Sequence, residues 1–232
     1  MAIDKQTLQT RTITAIVFAA VMLLGLLTNV WAFLALFFII MIGCIVEYVK
    51  LIFRFRPMLF PLGVPYTVLP ILLLIDLGVD GTLFAKGERS DLYVTEVFTP
   101  LIPCAIIFSI WINDTMAYLV GSMIGKTPFS KISPKKTWEG TAGGAILCVV
   151  TIAILSATIP VAQTVPVKHW VAIAALCAVF GTLGDLLESK LKRLANVKDS
   201  GSFMPGHGGF LDRFDSLLLA APAVWLYVKL FM

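Results

Sequence analysis

"TITAIVFAAVMLLGLLTNVWAFLALFFIIMIGCIV", Thr12 to Val46, contains no charged residue. A helix crossing the hydrocarbon core of a bilayer needs about 20 apolar residues, within a range of about 17–25. The stretch is therefore too long for one crossing and suits two. Thr28-Asn29 near its middle is the natural turn, which predicts spans near 12–28 and 31–49. Lys5 and Arg11 precede the run as in a signal peptide, yet no small-x-small cleavage site closes it. The first span is accordingly read as retained.

Composition extends this reading to the whole chain. Of 232 residues, 59% are hydrophobic and only 14% charged, against about 25% charged in soluble domains. A mean hydropathy of +0.93 agrees. The net charge of +4 is mild and does not argue for a nucleic-acid partner. Cys44, Cys104, Cys148 and Cys177 sit singly in apolar runs, without CxxC spacing, and read as small buried hydrophobes.

Further apolar runs follow at 57–75, 97–120, 141–160, 169–187 and 214–231. Pro65 and Pro70 in the third span, and Pro100 and Pro103 in the fourth, suggest kinked or broken helices, tolerated where protein or a polar cavity serves the freed carbonyls. The expected fold is an all-α polytopic membrane protein of about seven transmembrane helices, seven to nine if broken ones count double. It forms a single domain over 1–232. With the N-terminus inside, the loops 50–56, 121–140 and 188–213 also lie inside, and 14 of the 18 Lys and Arg residues fall on that side. The positive-inside rule favours this orientation.

Two inside loops collect the polar residues. In "GKTPFSKISPKKTWEGT" four lysines, Lys126, Lys131, Lys135 and Lys136, fall within 11 residues. A basic patch on anionic headgroups explains the lysines alone. Ser130, Ser133 and Thr137 among them are hydroxyl donors suited to phosphate. In "GDLLESKLKRL" Leu183, Leu187, Leu191 and Leu194 share one helix face, while Asp185, Glu188, Ser189 and Lys192 share another. A solvated face with a Glu188–Lys192 pair would account for the spacing. Asp185, however, follows directly on an apolar run, and an acid at membrane depth is a functional-site hypothesis.

"KDSGSFMPGHGGFLDRFD" completes the second loop. Gly201, Gly206, Gly208 and Gly209 allow tight turns and close backbone approach, and exposed N–H groups there make an anion nest. Asp212 and Asp215 could complement the start of the last helix. Two acids together with Asp199 suggest a cation, and oxygen-only ligands beside a phosphate cradle point to Mg²⁺ with a polyphosphate. His207 between glycines could act as a general base, orient the backbone or bond a phosphate. Asn113 and Asp114 in "IWINDTMAYLVG" interrupt an uncharged run, and face either a polar cavity or a neighbouring helix through packing hydrogen bonds.

The pattern SxxKRxxxxKDxGxxxPGHGGxxDRxDS over Ser189–Ser216 resembles the signature of the phosphatidate cytidylyltransferases, or CDP-diacylglycerol synthases. "NDTMAYLVGSMIGKTPFSKISPKKTWEG", Asn113–Gly140, is similar to a second block of that family. The segments 113–140 and 185–216 are thus the expected active-site segments. The resemblance implies transfer of the cytidylyl group of CTP to phosphatidate, giving CDP-diacylglycerol and pyrophosphate for phospholipid synthesis. It also implies Mg²⁺ on Asp185 and Asp212 with Asp215 and Asp199 close by, K⁺ as a candidate second cation, and a homodimer in the bacterial inner membrane with its site facing the cytoplasm.

On this reading the catalytic set is Asp185, Asp212, Lys198, Arg213 and His207, with metal ligands Asp185, Asp212 and Asp215. Substrate-binding candidates are Asn113, Asp114, Ser133, Lys135, Lys136, Ser189, Lys192, Arg193, Asp199, Gly208 and Gly209. A polar cavity open to lipid and cytoplasm would admit both substrates. The alternatives are a CTP-dependent polyprenol or phytol kinase, which would transfer the γ-phosphoryl group, and an ion-coupled transporter, whose inverted repeats are not visible in the sequence.

Overall fold

A computed structural model describes residues 5–79, 98–130, 132–204 and 208–232. Among them no strand forms, and seven α-helices follow one another: α1 Lys5–Leu27, α2 Val30–Phe55, α3 Leu69–Gly78, α4 Leu101–Ile124, α5 Trp138–Thr158, α6 Val167–Leu194 and α7 Leu211–Phe231. Six segments in the described residues are long and apolar enough to cross a membrane, Pro57–Gly78 counting as one, and Thr12–Leu27 is a shorter apolar helix. The chain is an all-α polytopic integral membrane protein. Helices suit this setting because each satisfies its own backbone N–H and C=O groups where no water can.

The turn at Thr28-Asn29 is where the opening stretch divides. Asn29 is extended, and its side chain accepts a hydrogen bond from the Ala32 N–H at 2.9 Å, capping α2. The proline-rich third span is broken as expected: Pro57–Leu62 forms a 3₁₀ turn and Val64–Val68 a π turn before α3 begins. The fourth differs. α4 runs uninterrupted from Leu101, with Pro100 just before it and Pro103 in its first turn, where a missing N–H costs nothing. α3 also continues past the expected end at residue 75, burying Asp76 completely.

The described chain divides into two compact units. The first comprises Met1–Pro100 with Leu191–Phe214, and holds α1 to α3 and the loop between α6 and α7. Its core is built by Phe33, Phe37, Leu26 and Ile52, with Phe33 and Phe37 edge-to-face at 4.9 Å. The second comprises Leu101–Lys190 with Asp215–Met232. There α4 and α5 pack through small residues. A Cβ on Gly144 would lie 2.7 Å from the Ala117 backbone nitrogen, and one on Gly140 2.8 Å from the Gly121 Cα. Such close approach is how helices gain dispersion contacts in a solvent that supplies no hydrophobic drive between them.

Gly144→Val should therefore lower stability by about 1–3 kcal/mol, the usual cost of overpacking. Thermal unfolding of the detergent-solubilised protein measures it, and an unchanged midpoint would show that the α4–α5 contact can relax.

Candidate active site

The polar residues of the first unit are organised at the end of α6. Asn196 adopts a left-handed conformation with φ 55°, and the Val197 and Asn196 N–H groups return to the Lys192 and Arg193 carbonyls at 2.9 and 3.1 Å. This pair of bonds is a Schellman ending, in which Asn is the usual substitute for glycine. It releases the chain into a loop that closes on Asp212, in the first turn of α7.

Asp212 collects donors from the two ends of the loop, at Ser200 and Gly209. Its Oδ2 accepts the Ser200 N–H at 2.9 Å, the Ser200 hydroxyl at 2.9 Å and the Gly209 N–H at 2.8 Å. Its Oδ1 accepts Lys192 Nζ at 2.6 Å, an ion pair whose side chains are 14% and 6% exposed. Gly208 sits at φ 84°, which only glycine adopts readily, and its carbonyl accepts the Met204 N–H at 2.9 Å. A Cβ on Gly208 would lie 2.5 Å from Asp212 Oδ2, so the glycine also admits the carboxylate.

Below this loop lies Glu47 of α2, 7% exposed. Its Oε2 accepts the Ser200 hydroxyl and the Leu211 N–H, each at 2.8 Å. A cavity of about 550 Å³ opens beside it, lined on one side by Gly43, Glu47, Lys50 and Arg54 of α2 and on the other by Asp199, Ser200 and Phe203. It offers two cations and two carboxylates beside hydroxyl and backbone donors and an aromatic face.

The second unit holds another carboxylate paired with a lysine. Asp185 of α6 forms an ion pair with Lys136, and its Oδ1 accepts the Ser189 hydroxyl at 3.2 Å, one turn along the same helix. Gly184 lets the Asp215 carbonyl approach where a side chain would otherwise stand, so Asp185 and Asp215 lie on adjoining backbone segments. The Asp215 Oδ1 accepts the Ser216 N–H at 2.6 Å. Asn113 is buried and donates to Asp114 Oδ1 at 3.3 Å, while Asp114 itself is exposed.

Lys136 stands at the end of a structured loop. Phe129 N–H donates to the Lys136 carbonyl at 2.8 Å, and Trp138 N–H to the Thr127 carbonyl at 3.0 Å, with the Phe129 and Trp138 rings edge-to-face at 4.4 Å. Glu139, in the first turn of α5, clamps the loop's start. It accepts the Thr127 hydroxyl at 2.8 Å and the Lys126 and Thr127 N–H groups at 3.1–3.2 Å.

The structure thus joins Lys192 with Asp212 and Gly209, and Lys136 with Asp185 and Ser189. Lys135, Arg193, Lys198, Asp199 and Arg213 are exposed, and Ser133 is half-buried. His207 lies outside the described residues, as do Gly206 and Lys131. Two hydroxyls expected to serve phosphate also have local tasks. Thr137 Oγ1 caps α5 by accepting the Gly140 N–H at 3.1 Å, and Ser130 Oγ accepts the Ile132 N–H at 3.1 Å. Sequence reasoning missed Glu47 and Glu139. The available signal for Glu47 was its position inside the second predicted span, where an acid is expensive. Glu139 lies two residues beyond Thr137 and resembles an ordinary first-turn acid.

Asp212 and Asp185 are the carboxylates placed to hold Mg²⁺ if it binds. Among the described residues no three His, Cys, Asp or Glu side chains gather around one point. Magnesium needs only one or two carboxylates when substrate phosphates supply the remaining oxygens. Asp212 and Asp185 each already turn an oxygen toward a cation, Lys192 and Lys136 respectively, so both positions favour positive charge.

Comparison with known proteins is consistent across kingdoms. A family model described as "Cytidylyltransferase family" matches residues 58–231. "Phosphatidate cytidylyltransferase" of Bacillus subtilis (strain 168) is 47% identical over 125 residues, which is 53% of this chain and 45% of the relative. "Phosphatidate cytidylyltransferase 5, chloroplastic" of Arabidopsis thaliana is 42% identical over 127 residues, 55% of this chain and 30% of the relative. "Phosphatidate cytidylyltransferase" of Thermotoga maritima is 38% identical over 129 residues, 54% of this chain and 48% of the relative. The chain spans less than half the length of each.

Glu139→Ala should free the Lys126–Lys136 loop. Trypsin cleavage within it is expected to accelerate about tenfold in the solubilised protein, the ratio that one charge-assisted hydrogen bond supports. An unchanged cleavage rate would show that the Phe129–Trp138 contact alone holds the loop.

Proposed function

The chain belongs to the cytidylyltransferase family, and from that membership we propose that it transfers the cytidylyl group of CTP to phosphatidate. One observation carries the reading: the relatives reported above share this activity in their names, at 38–47% identity. An oxygen of the phosphatidate phosphate attacks the α-phosphorus of CTP. The bond from the α-phosphorus to the bridging oxygen breaks, and pyrophosphate leaves with the electron pair. The products are CDP-diacylglycerol and pyrophosphate.

The nucleophile is already anionic, so the protein needs no serine or cysteine to attack. Its task is to hold two anions together and to offset charge on the phosphates. Lys192 and Lys136, each oriented by its aspartate, would present fixed ammonium groups to phosphate oxygens. Lys135, Arg193, Lys198 and Arg213 are exposed, and would lessen repulsion as the substrates arrive. Ser189, Gly208 and Gly209 would supply a donor or close backbone approach and Asp199 a carboxylate near the bound cation, with Ser133, Asn113 and Asp114 as further polar contacts and His207 as a proton-transfer or phosphate-bonding group. On the first unit the carboxylate proposed for Mg²⁺ is Asp212; on the second, Asp185 and Asp215. When bound, the metal would neutralise phosphate charge and stabilise the leaving pyrophosphate.

We further propose that these loops face the cytoplasm from the inner membrane of a bacterium, which the Lys and Arg distribution supports. A homodimer and K⁺ as a second cation belong to the same reading.

The test uses purified protein with Mg²⁺, phosphatidate and CTP labelled at the α-phosphate. Label is expected in the lipid phase. Label left in soluble CDP, with γ-phosphate in lipid, would overturn the assignment in favour of a lipid kinase. Asp212→Asn keeps the size but loses the charge that pairs with Lys192, and turnover should fall by about 10²-fold or more while the protein stays folded. Near-normal turnover in this variant would refute the role given to Asp212.

A further inference from the structure

We propose that Glu47 is a positioning residue for this reaction: it latches both ends of the glycine-rich loop to α2 and so fixes the carboxylate of Asp212. The inference rests on the activity proposed above. Its structural half stands on geometry alone.

Glu47 lies within α2, in a segment long and apolar enough to cross the membrane, and the residue is only 7% exposed. A carboxylate taken out of water must be compensated by hydrogen bonds. Here the compensation comes from residues more than 150 positions away: the Ser200 hydroxyl and the Leu211 N–H, each at 2.8 Å from Oε2. These two donors are the points at which the loop leaves toward Gly201 and returns from Gly209 into α7. One oxygen atom therefore ties the loop's entry to its exit.

The fit around the carboxylate is equally specific. A Cβ on either Gly201 or Gly209 would collide with the Glu47 carboxylate, so these glycines let the backbone close over it. One turn earlier on α2, Gly43 leaves room for the Phe210 ring, which a Cβ at that position would strike. Phe210 in turn packs on Phe203, with ring centroids 4.1 Å apart. Gly43 and Glu47 at i and i+4 thus form a seat on one helix face, one receiving a ring and the other the polar ends of the loop.

The link to Asp212 passes through Ser200. The Ser200 hydroxyl lies 2.8 Å from Glu47 Oε2 and 2.9 Å from Asp212 Oδ2, and its single proton can serve one carboxylate at a time. The Ser200 N–H donates to the same Asp212 oxygen. Leu211, held by Glu47, is the residue immediately before Asp212. With Ser200 and Leu211 both fixed, Asp212 Oδ2 is consumed by the loop and Oδ1 is left directed at Lys192. Glu47 itself touches neither Lys192 nor Asp212 through any of these bonds, so its effect is exerted through the loop.

Three variants separate this role from its rivals. Both of Glu47's contacts are made by one oxygen, so Glu47→Gln can keep them, whereas Glu47→Ala has no acceptor and Glu47→Asp is one methylene too short to reach. In metal-free, detergent-solubilised protein, hydrogen exchange in peptides covering Ser200 and Gly209–Leu211 should accelerate about tenfold or more in the Ala and Asp variants. Exchange in α4 and α5 should not change. In the cytidylyl-transfer assay, kcat of the same two variants should fall about 10²-fold with KM for CTP nearly unchanged, the usual cost of a small misplacement. Glu47→Gln should restore most of both.

Unchanged loop exchange in the Ala and Asp variants would overturn the latch. A loosened loop with normal kcat would overturn its role in positioning, and a Gln variant as inactive as Ala, with its loop protected, would show that Glu47 acts through its charge. If Glu47→Ala does not fold, Glu47→Asp carries the same readings. Absence of cytidylyl transfer in the unaltered protein would overturn the proposed reaction, while the exchange measurement still decides whether Glu47 holds the loop.

Discussion

Hydrocarbon cannot solvate an N–H, a C=O or a charge, and this constraint shapes the molecule at every level. It makes each crossing a helix. It also means that each polar side chain placed near the membrane must bring its own partners. Asp212 receives two amide hydrogen bonds and a lysine, and shares the Ser200 hydroxyl with Glu47. Glu47 receives a hydroxyl and an amide from a distant loop, and Asp185 receives a lysine and a serine. Removing one partner from such a group costs more than the net worth of the bond, because the remaining partner is left unsatisfied. The described residues of the polar loops are held by such partners, although most of them belong to no helix.

Glycine provides the space in which these partners meet. At Gly140 and Gly144 it lets two helices touch along their backbones. At Gly201 and Gly209 it lets the backbone close over a carboxylate, and at Gly184 it admits the Asp215 carbonyl beside Asp185. Among the described glycines, Gly208, with its positive φ, is the one required by conformation. At Gly201, Gly208 and Gly209 the glycine-rich segment is therefore tightly fitted against the carboxylates of Glu47 and Asp212.

The proposed chemistry suits such a scaffold. Joining a lipid phosphate to the α-phosphorus of a nucleotide needs no covalent help from the protein, only placed cations and excluded alternatives. Two lysines, each fixed by an aspartate in its own unit of the chain, would supply part of that placement in the proposed reaction. The exposed bases Lys135, Arg193, Lys198 and Arg213 contribute a field whose strength depends on salt.

The sequence by itself determined the class of the fold, the turn at Asn29, the broken third span and the two segments in which polar chemistry gathers. These features are local: apolar run length, a capping side chain, proline geometry and the spacing of Asp185, Ser189 and Lys192 are written within a few residues of where they act. Partnership was decided only by the tertiary structure. Nothing in "CIVEYVK" indicates that Glu47 will meet Ser200 and Leu211, since that contact spans more than 150 residues and depends on how α2 packs against the loop. Asp185 and Asp212 were legible as acids of interest, but not the lysine each one takes. The hydroxyls of Ser130 and Thr137 were legible as donors, but not their local tasks. Periodicity reports which face of a helix a residue occupies; what stands opposite that face is settled by packing.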